Sequence, residues 1–125
     1  MLTVDLTFAG ISAPAAAAHL HCCAPLGANA PVVLPFAGFP SATSGTYLHT
    51  FDLSTFAFSG GGSEAALIAG LNSGQTYTNI HNASFPGGEI RGQITPSAVP
   101  EPGSLLLVAT GLAGVAGTVR RRIAA

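Results

Sequence analysis

Residues 2–8 alternate without a break, Leu2, Val4, Leu6 and Phe8 being apolar and Thr3, Asp5 and Thr7 polar. A period of two puts the apolar set on one face of an extended chain, which predicts a half-buried strand. Gly10-Ile11-Ser12-Ala13-Pro14 ends it. The alanines at 15–18 favour helix by propensity, whereas His19-Leu20-His21 favours extension, so the run is predicted to lead into a strand over 18–22. In that strand Ala18, Leu20 and Cys22 share one face, and His19 and His21 the other. A loop rich in Pro, Gly and Asn follows over 24–31, then a short apolar strand over 32–36. Pro35 has no N–H for a ladder, so this strand belongs at a sheet edge. After a turn-rich stretch, aromatic and β-branched residues predict a strand over 46–53. Ser63 followed by Glu64 then reads as the capped start of a short helix over 64–71.

The most legible stretch is 77–94. Tyr77, Asn79 and His81 fall on one face and Thr78 and Ile80 on the other, while Ile90, Gly92 and Ile94 alternate with Glu89, Arg91 and Gln93. Pro86-Gly87-Gly88 supplies one fixed φ and two residues free to take positive φ, so the segments form a hairpin with His81 near its mouth. Glu89 and Arg91, two apart on one face, are expected to form a surface ion pair of little energetic weight. The order strand, strand, strand, strand, helix, hairpin lacks a βαβ rhythm. It predicts an all-β, antiparallel, Greek-key-like β-sandwich with one short helix.

Composition agrees. Of 125 residues, 16 are Gly and 9 Pro, a level suited to short strands and many turns, and only 7% are charged. Three of the four arginines sit together at 120–122, which leaves Arg91 as the one arginine ahead of the tail. A nucleic-acid partner is therefore not expected. Cys22 and Cys23 are adjacent, unlike the spaced pairs of a zinc site or a disulfide framework. Three readings stay open for them: a vicinal disulfide, two small buried side chains, or a redox or ligand role.

Candidate chemistry centres on histidine. In a strand, positions i and i+2 project from one face roughly 7 Å apart, so His19 and His21 can converge on one metal ion. His81 at a strand end is a candidate third ligand, and copper or zinc the candidate ions. His49 is a fourth candidate. The competing expectation is that these rings tie loops down through hydrogen bonds to carbonyls. Superoxide dismutases also carry a His-x-His on a β-sandwich, but their remaining ligands and zinc loop are not found here. No Ser-His-acid motif, phosphate loop or metalloprotease helix appears, so an enzyme is not expected.

The tail differs in kind. Val99-Pro100-Glu101-Pro102-Gly103 precedes sixteen residues without a charge, 104–119, and then Arg120, Arg121 and Arg122. As a helix the apolar run spans about 24 Å, short for a full crossing but serviceable with its flanks. Arginines beyond it would stay cytoplasmic and leave the body of the chain outside. The expected organisation is a β-sandwich domain at 1–96, a linker at 97–103, a membrane-crossing hydrophobic helix at 104–119 and a basic tail at 120–125.

Asn79-Ile80-His81, the run Phe85-Pro86-Gly87-Gly88-Glu89-Ile90-Arg91-Gly92-Gln93-Ile94 and the upstream Ala18-His19-Leu20-His21 together resemble the CHRD domain, over roughly residues 2–95. The tail resembles the PEP-CTERM sorting signal of bacteria that carry an exosortase. The first resemblance implies a two-sheet fold with the helix bridging the sheets. The second implies a transient inner-membrane anchor, cleavage by exosortase near Pro100-Glu101-Pro102, and delivery to the cell surface or matrix of a Gram-negative bacterium. Together they imply a non-enzymatic module for an unidentified extracellular protein or polysaccharide. Family members usually have a leader and a further strand before the position of Met1, so the natural protein is expected to be longer at its N-terminus.

Overall fold

In the computed structural model the described residues are 1–97. They form β1 (Leu2–Phe8), β2 (Ala15–His21), β3 (Val32–Pro35), β4 (Gly45–Phe51), α1 (Glu64–Asn72), β5 (Thr76–Asn82) and β6 (Ile90–Ile94). The described residues are all-β apart from α1, and every strand pairing among them is antiparallel. The hydrophobic helix expected at 104–119 lies outside the described residues, and no helix among those described is long and apolar enough to cross a membrane.

One sheet pairs β1 with β4, and the other has the order β3-β2-β5-β6. β3, with its proline, is an edge strand as expected. Register pairs Leu2 with Phe51, Val4 with His49 and Leu6 with Tyr47, placing the apolar sets of β1 and β4 on one face. The core joins Phe8, Tyr47 and Phe51 of this sheet to Ala18, Leu20, Leu34 and Ile80 of the other. Aromatic rings fill much of it, Phe36 stacking on Tyr47 at 5.1 Å and Phe8 on Phe39 at 5.1 Å between centroids. A hollow of about 290 Å³ lined by Leu2, Val4, Leu6, Leu20, Leu71 and Ile94 opens into this inner, apolar side.

Two boundaries moved for tertiary reasons. β2 begins at Ala15, because Ala15 pairs with Asn82 and Ala17 with His81, and these ladder bonds outweigh alanine's weak helical preference. β4 stops at Phe51, where the Asp52 carboxylate accepts from Ser54 N at 3.1 Å and Ser54 Oγ at 2.6 Å, a local turn that competes with the ladder. α1 starts as expected, the Ser63 hydroxyl accepting from Ala66 N at 3.2 Å. It buries Leu67 and Gly70.

Candidate metal centre

The four-stranded sheet has two unlike faces. Ala18, Leu20 and Ile80 point inward and are almost wholly buried. On the outer face the register sets His19 opposite Asn79, His21 opposite Tyr77 and Ala17 opposite His81. His81 therefore stands diagonal to His19, within the reach of a long side chain. Their ring centroids are 4.6 Å apart, and those of His19 and His21 5.3 Å. One ring nitrogen from each histidine lies within 4.8 Å of the others. The three histidines singled out in the sequence are thus brought together. His49 is not among them: it sits on β4 in the other sheet, between Tyr47 and Phe51.

Two loops close over this face and fix which nitrogens are free. His21 Nδ1 lies 2.8 Å from the carbonyl oxygen of Ala30, in the loop over 24–31, and His81 Nδ1 lies 2.9 Å from that of Pro86, in the hairpin turn. A carbonyl only accepts, so both Nδ1 atoms carry the proton, and in the neutral form of each ring the lone pair is on Nε2. His21 Nε2 is 3.4 Å from His19 Nδ1. His81 Nε2 is buried without a hydrogen-bond partner. The expected loop-tying bonds are therefore present; they leave His81 Nε2 without a partner and turn His21 Nε2 towards His19 Nδ1, a contact that a bound ion would replace. A carbonyl behind a ligand histidine is the usual orienting partner in metal sites.

Electrostatics disfavour a charge on His19. Burial, and then the neighbouring imidazoles of His81 and His21, push the His19 pKa down to about 4. A second layer holds His21: its ring lies parallel to that of Tyr77, 4.5 Å away, and the Arg91 guanidinium sits 3.6 Å over the Tyr77 ring. Tyr77 Oη accepts from Ala30 N at 3.0 Å, securing the residue whose carbonyl holds His21. Arg91 is spoken for by Ala28 O at 2.6 Å and Asn29 Oδ1 at 3.1 Å. Glu89 turns elsewhere, to Ser12 N, Ser12 Oγ and Asn82 Nδ2. The expected Glu89–Arg91 ion pair is thus replaced by two separate loop anchors.

Neutral imidazoles suit zinc and copper, and a tetrahedral ion with Zn–N bonds of about 2.0–2.1 Å holds its ligand nitrogens about 3.4 Å apart. The separation of His19 Nδ1 and His21 Nε2 meets that spacing. The cysteines take no part: Cys22 and Cys23 are joined as a vicinal disulfide, with Cys22 on the core side. Their sulfurs lie 3.6 and 3.3 Å from the carbonyl oxygen of Ala66 in α1. Tyr77, Asn79, Arg91 and the carbonyls of Ala30 and Pro86 were missed as parts of the site. Period-two alternation places the first three on the histidine face, but only the folded loops supply the carbonyls.

Residues 1–94 match the family model of the CHRD domain, and residues 98–122 match that of the PEP-CTERM protein-sorting motif. No curated protein and no solved structure matches the chain.

Proposed function

The chain belongs to the CHRD domain family and carries a PEP-CTERM protein-sorting motif, and from that premise we propose that it is an exported, exosortase-sorted module that binds a copper or zinc ion through His19, His21 and His81. The observation that carries this reading is the convergence of three ring nitrogens within 4.8 Å, two of them on rings whose far nitrogen is clamped by a backbone carbonyl. The reading is of metal binding, with no reaction assigned to the site. The sorting motif supports export to the cell surface or extracellular space; our reading adds a Gram-negative host, residues 104–119 as a temporary inner-membrane anchor and Pro100-Glu101-Pro102 ahead of it as the exosortase's mark.

A second reading has its own support. Leu26 and Phe85, exposed at 80% and 48%, stand one on each of the two loops that flank the histidines, where each offers an apolar contact for an extracellular protein or polysaccharide.

Reconstitution of the full chain with Zn²⁺ or Cu²⁺, followed by elemental analysis after desalting, tests the metal reading. One ion per chain, lost in His81→Ala, is expected; no retained metal in the unaltered chain overturns it. Deletion of residues 99–125 from a version fused to an export leader should abolish surface display, and undiminished display would count against sorting by the tail.

A further inference from the structure

Three buried side-chain polar atoms among the described residues have no hydrogen-bond partner: His81 Nε2, Asn79 Oδ1 and Gln93 Oε1. All three belong to residues on the histidine-bearing face of the sheet, since Asn79 pairs with His19 and Arg91, and Gln93 pairs with Tyr77. Buried polar atoms are nearly always satisfied, so their gathering on one face asks for a positive or proton-donating occupant. Gln93 is accounted for in part, because its Nε2 donates to Gly74 O at 2.7 Å near the strand's end. Asn79 has no such anchor and sits opposite His19, two residues before His81.

We infer, building on the metal reading, that Asn79 Oδ1 is the fourth donor of the site and that it makes the preferred ion a divalent one, Zn²⁺, over Cu⁺. Asn79 is 9% exposed and sits opposite His19, two residues from His81 on the same strand face. A point one Cβ from Gly88 is 2.9 Å from Asn79 Nδ2, 3.3 Å from its Cγ and 3.5 Å from His81 Cε1. The amide nitrogen thus faces the hairpin turn and the His81 ring adjoins it. The oxygen is the buried, unpartnered atom of the same amide, and His19 is the residue's cross-strand neighbour on β2. Gly88, at φ +107°, closes the turn over this side chain where a larger residue would collide with it. An amide oxygen is a hard, neutral donor. It completes a four-coordinate shell for Zn²⁺, whereas Cu⁺ favours soft ligands and is served by the three imidazoles alone.

The test uses the full chain in detergent, with Zn²⁺ and ascorbate-reduced Cu⁺ each titrated against a competing chelator. In Asn79→Ala the Zn²⁺ affinity should fall about tenfold or more while that for Cu⁺ changes by less than about threefold. Asn79→Asp, which keeps the oxygen and adds charge, should bind Zn²⁺ at least as tightly as the unaltered chain. A structural role alone would weaken both ions together and would not be rescued by Asp. Equal loss for both ions, or Zn²⁺ affinity unchanged within about twofold, overturns the role of Asn79 and leaves the histidine site standing. Failure of the unaltered chain to bind either ion, or indifference to His81→Ala, overturns the histidine site and this inference with it. Should Asn79→Ala not fold, Asn79→Asp and Asn79→Ser decide: weaker Zn²⁺ binding in Asp than in Ser overturns the inference.

Discussion

The imidazole of His21 and the phenol of Tyr77 lie face to face, with 4° between their planes and 4.5 Å between centroids. Because β5 runs between β2 and β6, the Arg91 guanidinium takes the other face of Tyr77. The stack works as one unit, so its members should differ in what their loss costs. Tyr77 is buried, and Tyr77→Ala should destabilise by about 3–5 kcal/mol through the cavity it leaves. Arg91 is exposed, so the lower end of the cation–π range applies and Arg91→Ala should cost only about 1 kcal/mol. Urea unfolding of both variants checks the order. Equal losses would show that the guanidinium does more than cover the ring.

A second expectation concerns acid. His19 titrates at 6.5 when unperturbed and at about 4 in the folded chain. Between those values the unfolded chain takes up a proton that the folded chain refuses, so stability rises with pH across the window. On acidification the loss begins near the upper value and is complete below the lower one. Melting temperature measured in chelator from about pH 7 to about pH 4 should fall more steeply for the unaltered chain than for His19→Gln. Identical slopes would show that His19 accepts its proton as readily when folded as when unfolded.

Glu89 and Asn82 give a third. The carboxylate accepts from Ser12 N at 2.9 Å and from Ser12 Oγ and Asn82 Nδ2, while Asn82 Oδ1 accepts from Ser84 N and Phe85 N at 3.1 and 2.9 Å. These bonds join the turn after β1 to the hairpin that carries Pro86. Asn82 is 2% exposed, so Asn82→Ala strands several buried groups and should cost about 2–3 kcal/mol. Glu89→Gln keeps shape and acceptor and should cost less, about 1 kcal/mol. Chemical denaturation distinguishes them, and a larger loss in Glu89→Gln would refute the ranking.

Gly70 tests a conflict of sign. In a helix interior Gly→Ala ordinarily gains about 1 kcal/mol. Here a Cβ would run into the sulfurs of both Cys22 and Cys23 and come 2.9 Å from Thr76 Oγ1. Overpacking of that kind costs about 1–3 kcal/mol, so the collision should win and Gly70→Ala should lower the melting temperature. A rise would mean that the disulfide gives way freely.

Much of this architecture was readable beforehand because it rests on local pattern. Leu2 to Phe8 alternate, Ser63 caps α1 and Pro35 marks an edge, each from chemistry carried within a few residues. The facing of His19, His21 and His81 follows from period two once β2 and β5 are neighbours. The rest depends on where loops travel. Nothing local tells that the loop over 24–31 returns to set Ala30 against His21, or that Arg91 leaves Glu89 for Tyr77. Asn79 was on the right face in the sequence, but an asparagine in a strand gives no sign of being buried and unpaired until its neighbours are in place.

The groups that orient His21 and His81 are the peptide oxygens of Ala30 and Pro86, and a peptide oxygen survives any side-chain exchange at its own position. Drift in the composition of those two loops would therefore leave the imidazoles correctly turned. A single inserted or deleted residue would carry the oxygen out of reach and free the ring to spin. Indels in these connections, more than point changes, are where the site is vulnerable.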